Sequence, residues 1–409
     1  MEPFTHLGIR VEVATSLEAL ERHATAYDRL VARADGTLFP VFDLHWARRG
    51  RNLFQPAGTT PYFLLAWRGA ELIGLAPLRR TRRRLGPLTL HWLEFWGQST
   101  GFVSLDSLTG SFVIPAPEDH APCLRAFRAY LIGPGRHDWE LLDLQHCCTY
   151  SSLCDPLRGS FPEAVAEREE MPGYLVELGT RYAELEAQFH KDTRRNLRRS
   201  RRMLEDHGDA HRFAVHESLD DALFEDIARV HTARQMELRA KGRKDRDALF
   251  EQDVVRACVG DLLRASAVAG RLRVYTLHIG DSLAAFGIVL ANAGDAVYWL
   301  IGFSEEFQQF SPSRLVFEFT YRTEIERYGT KRLNLLLGET RTKHELSNME
   351  YAALRLRLRN RWTRRASAKL RLFEAAKWLA GAVRAGVASL LRHRAEGSGV
   401  SEGAGASGT

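Results

Sequence analysis

The residues best suited to bind a phosphate group are Ser311, Pro312, Ser313, Arg314 and Leu315, which begin a predicted helix. The first amides of a helix lack backbone partners and lie at the positive end of its dipole, so they bind phosphate readily. Arg314, in the first turn, adds a guanidinium that can hold two phosphate oxygens. A cation at that position is unfavourable to the helix itself, which indicates an anionic neighbour. The alternative is an ordinary Ser-Pro cap with a solvated arginine.

A second candidate region is a predicted helix over residues 180–207, capped by Thr180 and ended by Gly208. Seven lysines or arginines lie at positions 191, 194, 195, 198, 199, 201 and 202, and their spacing predicts charge all around the helix. Lys191 and Arg195 are the predicted contacts for a phosphorylated or acidic substrate or for RNA. A purely structural charge run is the alternative. No aromatic residues interleave with the arginines, so base stacking is not indicated.

The elements that must position these residues occur twice along the chain, in the order strand-strand-strand-helix-strand. Polar turns between runs of alternating and β-branched residues predict hairpins. The second half predicts strands at 272–279, 283–290, 296–303 and 332–337, and a helix at 311–328. The first half predicts strands at 62–67, 71–78 and 139–144, and a helix at 118–130. The arginine run at 79–84 is predicted to form a loop after the second of these strands.

The two predicted helix starts differ in charge. The helix of the first half begins with Pro117, Glu118, Asp119 and His120. Two carboxylates suit the positive end of a helix but would repel a pyrophosphate. The first half is therefore predicted to have no cofactor site, and the function is assigned to the second half.

This order of elements resembles the core of the GNAT acetyltransferases. More closely, the chain is similar to CelD/BcsL-type acetyltransferases, which carry the BioF2-like acetyltransferase domain. The matching stretches are HKDTRRNLRRSRRML at 190–204, DSLAA at 281–285, SPSRL at 311–315, NLLLGETRTK at 334–343, LIGLAPL at 72–78 and FWG at 95–97. Two departures stand out: residues 307–314 contain no glycine, and Asn334 and Thr342 replace the acidic and aromatic residues of relatives.

The resemblance implies that acetyl-CoA, or another acyl-CoA, lies between two splayed strands with its pyrophosphate at a helix N-terminus. Leu300, Ile301 and Phe303 are the strand residues expected to contact it. Some relatives are linked to cellulose or exopolysaccharide production, which implies a sugar or polysaccharide precursor as acceptor.

Acyl transfer to an amine requires a deprotonated amine, a polarised thioester oxygen and a protonated leaving thiolate. Glu339, Tyr298 and His344 are the predicted catalytic residues for proton transfer, although each is also explained by a structural role. Lys343 is predicted to hold an anionic substrate or the phosphates of the cofactor, and a solvated lysine is the alternative.

The chain has 409 residues and a net charge of +6. Single cores stop growing at about 300 residues, so at least two domains are expected. We predict an α/β fold of two tandem GNAT-like domains, each a largely antiparallel sheet flanked by helices. The predicted segments are 1–170, 171–365 and 366–409. The five cysteines have no disulfide or zinc spacing, which predicts buried free thiols and no metal.

A cytoplasmic protein is expected, because the sequence shows neither a signal peptide nor a long apolar run. Residues 366–394 predict a basic amphipathic helix that packs on the protein, mediates dimerisation or contacts the inner face of a membrane peripherally. We expect packing. The Gly- and Ser-rich residues from 396 onward predict a disordered tail. The oligomeric state is left open.

Two other functions fit the same sequence. A FemAB-like aminoacyltransferase has the same doubled architecture, and would take its acyl group from aminoacyl-tRNA bound by the basic helix. A basic adaptor on anionic membrane or nucleic acid would leave both halves catalytically silent. The leading hypothesis remains an acyl-CoA-dependent N- or O-acyltransferase, most simply an acetyl-CoA N-acetyltransferase.

Overall fold

The computed structural model describes residues 4–38, 58–96, 110–243 and 249–379. The predictions for Gly97, for residues 380–394 of the basic helix and for the tail lie outside these ranges.

Fifteen strands are found in the described residues. They are β1 (Phe4–His6), β2 (Ile9–Ala14), β3 (Thr59–Arg68), β4 (Glu71–Leu85), β5 (Leu88–Phe95), β6 (Leu141–Cys148), β7 (Val165–Arg168), β8 (Gly173–Glu177), β9 (His211–His216), β10 (Leu272–Ile279), β11 (Ser282–Asn292), β12 (Asp295–Phe303), β13 (Arg332–Leu337), β14 (Met349–Tyr351) and β15 (Ala353–Arg359).

The α-helices of the described residues are numbered in chain order. They are α1 (Leu17–Glu21), α2 (Ala24–Val31), α3 (Pro117–Ile132), α4 (Cys154–Ser160), α5 (Tyr182–Gln188), α6 (Lys191–Glu205), α7 (Asp221–Ala240), α8 (Asp253–Val268), α9 (Pro312–Thr323), α10 (Arg341–Leu346) and α11 (364–379). A 3-10 turn at Glu305–Phe310 precedes α9, and a π-helical turn at Glu324–Tyr328 follows it. None of the described helices is long and apolar enough to cross a membrane.

The strands form two mixed sheets, which confirms the predicted fold class. The first sheet has the order β1-β2-β3-β4-β5-β6-β15-β7, and the second has the order β14-β8-β13-β12-β11-β10-β9. Each sheet is antiparallel except for one parallel pair, β5 with β6 and β12 with β13. The path β2-β3-β4-β5-β6 in the first sheet therefore matches β9-β10-β11-β12-β13 in the second.

The two sheets are interleaved along the chain. β15, from the end of the described strands, pairs with β6 and β7 in the first sheet. β8, which directly follows β7 in the chain, pairs with β13 in the second sheet. The domain boundaries at residues 170 and 365 stay a prediction, and β15 lies on the C-terminal side of the first boundary although it belongs to the first sheet.

One hydrophobic core joins the two halves. Helices α1 and α2 of the first half and α7 and α8 of the second contribute to a single buried cluster that includes Phe63, Trp67, Phe224, Leu263 and Phe286. The opposite face of the first sheet packs against α3, and that of the second sheet packs against α5, α6 and α9. The second half is thus enclosed on both sides.

A close contact between backbones also links the halves. A Cβ on Gly36 would lie 2.2 Å from the carbonyl oxygen of Asn292, so only glycine fits between α2 and the β11–β12 turn. The Asn292 amide donates to the carbonyl oxygens of Val31 and Ala34, both at 2.9 Å.

The predicted helix over residues 180–207 is wrong in one respect, because it is two helices. Phe189 takes an extended backbone and is buried, and His190 caps α6 by accepting from the Asp192 amide. Arg181 rather than Thr180 is the N-cap of α5. The buried Phe189 ends α5, whereas the pattern of polar and apolar residues alone favoured one continuous helix.

The charge of α6 lies on one face, contrary to the predicted all-round distribution. Thr193, Leu197, Ser200 and Leu204 are buried, at the i, i+4, i+7 spacing of a packed face. The opposite face carries the cations at 191, 194, 195, 198, 199 and 202. Arg201 lies to one side, where it donates to Glu318 at 2.7 Å and to Glu186 at 2.8 Å.

The arginine run at 79–84 lies in β4 and not in a loop. Strand β4 continues to Leu85 and pairs with β5 along this whole run. Arg79 is 1% exposed and forms an ion pair with the buried Glu94, which also accepts from Thr81 at 2.8 Å. Side chains alternate between the two faces of a strand, so an arginine run in a strand can place a residue such as Arg79 in the interior. The buried carboxylate of Glu94 pairs with it there.

Candidate active site

The parallel strands β12 and β13 separate after three residue pairs. Asp295, Ala296 and Val297 pair with Arg332, Leu333 and Asn334, and no pairing with β13 follows. From Tyr298 to Phe303, the edge of β12 that faces β13 therefore has no strand partner in the described part of the chain. This opening, the second-half cleft, is the splay that the GNAT resemblance implied.

Bulges in both strands help to open the cleft. In β12, Leu300 lies opposite Ile288 and Tyr298 lies opposite Val289, so Trp299 is the extra residue of a bulge. In β13, Leu336 takes a left-handed backbone with φ of 65°. A bulge bends its strand and increases the local twist, so β12 and β13 turn away from each other.

Asn334 fixes the bulge of β13. Its side-chain oxygen accepts from the Leu336 amide and from the Tyr351 hydroxyl, both at 2.8 Å. Its amide donates to the Thr37 carbonyl at 2.8 Å and to the Tyr150 hydroxyl at 3.1 Å. A carboxylate could not donate to the Thr37 carbonyl. The departure from the acidic residue of relatives is therefore explained by contact with the first half.

The predicted cofactor contacts on β12 lie in the cleft wall. Leu300, Ile301 and Phe303 are each half-buried, whereas the first four residues of the strand, 295–298, are buried. Leu300 pairs with Ile288 of β11 on the opposite edge, and this pairing continues through Phe303. One edge of β12 is thus held by the sheet while the other remains available for backbone hydrogen bonds to a ligand.

The predicted phosphate-binding residues begin α9. Ser311 is the N-cap, but it takes a left-handed backbone with φ of 52° and its side chain makes no cap hydrogen bond. The Arg314 and Leu315 amides bond to the Ser311 carbonyl, and Pro312 has no amide hydrogen. The Ser313 amide has no backbone partner within the described residues. The left-handed backbone at Ser311 is the feature that a glycine would otherwise supply.

Arg314 already has an anionic neighbour. Its guanidinium lies 2.5 Å from Glu345 Oε2, and both side chains are largely buried. The angles of this contact are unsuitable for a hydrogen bond. Glu345 Oε2 therefore has no hydrogen-bond donor among the described residues. Glu345 Oε1 accepts from Arg341 at 2.5 Å. Arg314 would therefore have to leave Glu345, or share it, to bind a phosphate.

Tyr298 is placed in the core and not in the cleft. Its ring packs on Phe317 of α9 with centroids 4.5 Å apart, and its hydroxyl lies beneath Gly287, where a Cβ would be 1.9 Å away. Burial raises the pKa of the Tyr298 phenol. This placement argues against a role for Tyr298 in proton transfer.

Glu339, Lys343 and His344 follow β13 in one short segment. Glu339 and His344 are at least partly exposed at the end of the strand. The Lys343 ammonium donates to the Leu337 carbonyl at 2.8 Å and to the Leu336 carbonyl at 3.4 Å, so it covers the bulge. The three residues therefore lie within six positions of one another after β13, with Lys343 engaged by the backbone.

Lys191 and Arg195 lie at the far end of α6 from the start of α9. The two helices run antiparallel: Arg201 contacts Glu318, and the His207 ring lies 4.7 Å from that of Phe310. From Lys191 to the end of α6 is about 21 Å. Arg195 pairs with Asp192 at 3.2 Å.

A cavity of about 470 Å³ that the sequence did not indicate opens between α7 and the end of β12. Its lining includes Phe303, Arg234, Glu237, Lys241 and Glu305. Arg234 lies over the Phe303 ring at 4.4 Å and donates to Glu237 at 2.7 Å. Hydrogen bonds from Lys241 lower the pKa of Glu237 to about 2. These residues come from a helix and a turn far apart in sequence, so spacing alone could not join them.

The matching position of the first half is filled by the chain itself. Strands β5 and β6 also separate after two residue pairs. The Gly110 amide then donates to the His146 carbonyl at 2.9 Å, and Val113 exchanges two 2.9 Å hydrogen bonds with Leu75 of β4. His146 has a left-handed φ of 61° in a bulge that corresponds to the one at Leu336. We call the segment Gly110–Val113 the plug.

The cysteines give no sign of another reactive centre. The five cysteines are buried free thiols, as predicted, and burial raises the pKa of Cys147 and Cys148. The described residues contain no group of three or more histidine, cysteine, aspartate or glutamate side chains that could hold a metal ion.

Residues 191–344 match the family model described as an acetyltransferase (GNAT) domain. No curated protein matches the chain. Among solved structures, FemX shares the fold with a TM-score of 0.54 at 11% identity, over 80% of this chain and 95% of FemX. A conserved protein of unknown function from Bacteroides thetaiotaomicron has a TM-score of 0.50 at 12% identity, over 82% of this chain and 97% of that protein.

The family match covers the second-half cleft, α6 and α9. Residues 191–344 of the second half therefore match a GNAT-type acetyltransferase domain, and the expectation of an acyltransferase enzyme is confirmed. The narrower CelD/BcsL assignment stays a prediction.

Proposed function

We propose that the protein is an acyl-CoA-dependent acyltransferase that uses the second-half cleft, with acetyl-CoA as the donor and an amine as the acceptor. The observation that carries this proposal is the difference between the two halves. The edge of β12 is open from Tyr298 to Phe303, whereas the plug fills the corresponding place in the first half.

The residues of the second-half cleft fit an acyl-CoA. The edge of β12 around Leu300 and Ile301 offers backbone hydrogen bonds to the pantetheine amides and to the thioester oxygen. The start of α9 offers the Ser313 amide and the Arg314 guanidinium to the phosphates. The donor supplies an activated thioester, whose carbonyl carbon is open to attack by a nucleophile.

Proton transfer is assigned to the segment after β13. The acceptor amine must lose a proton as its nitrogen bonds to the acyl carbon, and the departing sulfur must gain one. Glu339 and His344 are both exposed in this segment, so either is available to take the amine proton directly or through water. Lys343 holds the Leu336 and Leu337 carbonyls, which keeps the end of β13 in place.

The acceptor is proposed to enter at the cavity beside Phe303. Its volume of about 470 Å³ suits a small molecule or one unit of a larger chain. Carboxylates of Glu237 and Glu305 and the cations of Arg234 and Lys241 line it, so it suits a polar acceptor that carries an amine. The resemblance to CelD/BcsL-type proteins supports a sugar or polysaccharide precursor.

Calorimetric titration with acetyl-CoA tests the donor site through the Arg314–Glu345 pair. Arg314→Gln should weaken binding about tenfold or more, because a charge-assisted contact to phosphate is lost. Glu345→Gln should strengthen binding several-fold, because Arg314 no longer has to leave a carboxylate. Arg322→Gln is the matched control on the same helix, where the arginine pairs with Glu318. No binding of acetyl-CoA by the unaltered protein at millimolar concentration would contradict the proposal.

A second candidate is an aminoacyl-tRNA-dependent aminoacyltransferase. It is favoured by the exposed face of α6, where no carboxylate of the described residues pairs with Lys191, Arg194, Arg198, Arg199 or Arg202. FemX has the same fold. Binding of aminoacyl-tRNA should then fall steeply with salt and with Arg198→Gln and Arg199→Gln together. Tight binding of acetyl-CoA with no measurable binding of tRNA excludes this alternative.

A further inference from the structure

The basic helix α11 and the arginine run in β4 are not used by the proposed acyl transfer, and both contact the ring of Trp92. Helix α11 packs on the first sheet through Ala366, Leu370 and Phe373. The Phe373 ring meets the Trp92 ring edge-on at 6.5 Å. The guanidinium of Arg83, from the arginine run in β4, also lies over the Trp92 ring, 5.2 Å from its centroid.

The opposite face of α11 is apolar and exposed. Leu372 is 61% exposed, Trp378 is 72% exposed and Leu379 is 57% exposed. Ala368, Leu372, Ala375 and Leu379 follow the spacing of one helix face, opposite the packed one. Leu372 and Leu379 share this face, and Trp378 lies about 100° from Leu379 around the helix. These three large exposed side chains close together form a docking surface and are not isolated surface residues.

Cations surround this apolar face. Arg364, Arg365, Arg371 and Lys377 belong to α11 itself, and no carboxylate in the described part of the chain pairs with them. The one acidic residue of the described helix, Glu374, pairs with Arg359 at 2.8 Å. Of the arginine run in β4, Arg83 lies on the side of the sheet that α11 covers; it is partly exposed and pairs with Glu94 at 2.9 Å.

We propose that this surface docks on an anionic lipid bilayer. Leucine and tryptophan side chains partition into the interface between headgroups and acyl chains, and neighbouring lysines and arginines attract anionic headgroups. A nucleic acid would satisfy the cations but would leave Leu372 and Leu379 in water. The bilayer is the partner that satisfies both the charge and the apolar face.

Vesicle flotation of the full chain tests this proposal, with phosphatidylcholine vesicles that contain or lack phosphatidylglycerol. The protein should float with the anionic vesicles only, and high salt should reduce the bound fraction. Trp378→Ala with Leu379→Ala should weaken binding about tenfold. Each of Arg364→Gln and Arg371→Gln should weaken it about fivefold. All four side chains point outward, and thermal unfolding of each variant should match that of the unaltered protein.

Two control variants distinguish binding through this surface from nonspecific binding through other exposed apolar or basic residues. Val268→Ala removes a large hydrophobic residue that is 92% exposed elsewhere on the protein. Arg198→Gln with Arg199→Gln removes two exposed cations from α6. Neither should change flotation.

Three results would overturn the proposal. One is failure of the unaltered protein to float with anionic vesicles. Another is equal flotation of the Trp378→Ala, Leu379→Ala variant. The third is a dimer in light scattering that this variant converts to a monomer while vesicle binding is unchanged, which would assign the surface to a second copy of the chain.

Discussion

At the junction of the halves, the identity of Asn334 is determined by hydrogen bonds to several parts of the chain. Asn334 uses both its donor and its acceptor atoms, and its contacts come from β13, from the first half and from the segment before β15. The sequence showed that an acidic residue was absent here, but the donor requirement arises from Thr37, which is 297 positions away. A local pattern carries no information about such a partner.

His231 makes stability depend on pH. It lies in α7 with its ring against Phe250, and its Nδ1 has no hydrogen-bond partner in the described residues. Burial lowers the pKa of His231 from 6.5 to about 4. Between these values the unfolded chain binds a proton that the folded protein does not, so stability falls as the pH is lowered and is fully present only above about pH 6.5.

We expect the free energy of unfolding to be about 2 kcal/mol lower at pH 5 than at pH 7 through His231 alone. His231→Leu should remove this component, so the variant loses less stability over the same range. Urea unfolding at both pH values measures it. His211→Leu, at an exposed position, is the control and should follow the unaltered protein. If the free energy of unfolding of His231→Leu depends on pH as that of the unaltered protein does, His231 binds its proton equally in the folded and unfolded states, and the prediction is wrong.

At the scale of elements, the sequence predicted most strands and helices, because their patterns are local. The hairpins, the start of the helix at 312–323 and the strand at 332–337 lie close to their predicted positions. The long helix at 180–207 and the loop at 79–84 were wrong, since the buried Phe189 and the buried Glu94 decide those structures through distant contacts. The bulges and the plug could not be predicted either, because they depend on pairing between strands.

The plug in the first half offers a test of which cleft works. A Cβ on Gly110 would lie 2.4 Å from the Gln145 carbonyl oxygen and 2.5 Å from the Phe95 ring. Gly110→Ala should therefore lower the free energy of unfolding by about 2 kcal/mol or more. Its acetyl-CoA affinity, measured below the transition, should equal that of the unaltered protein, because the second-half cleft is unchanged.

Gly159→Ala is the matched control for this substitution. Gly159 lies in α4, and a Cβ added there would meet no neighbouring atom within 4 Å, so alanine should stabilise by about 0.5 to 1 kcal/mol. If Gly110→Ala instead weakens acetyl-CoA binding as strongly as Arg314→Gln is expected to, the cofactor site belongs to the first half.

At the scale of the whole molecule, the pairing of β15 makes the first sheet depend on both parts of the chain. A cut between Glu170 and Met171, in the exposed link from β7 to β8, leaves the first fragment without β15. The second fragment keeps β8 but has β15 without its partners β6 and β7. Neither fragment can complete the shared core by itself.

We expect the two fragments, residues 1–170 and 171–409, to copurify as a one-to-one complex when they are expressed together. Each expressed alone should aggregate or remain largely unfolded, because an open sheet edge and half of a hydrophobic core are exposed. Size-exclusion chromatography with light scattering and circular dichroism measure both outcomes. Two separately folded, monomeric fragments would contradict this prediction.

The position of β15 also affects whether the first half of the chain can be lost during evolution. A duplicated domain whose cleft has closed is ordinarily free to be lost, since its absence removes no ligand site. Here the closed half pairs with β15 and covers α7 and α8, so its deletion would leave the open half with an unpaired strand and an uncovered core. Selection on the open half alone is then enough to preserve both halves in the gene.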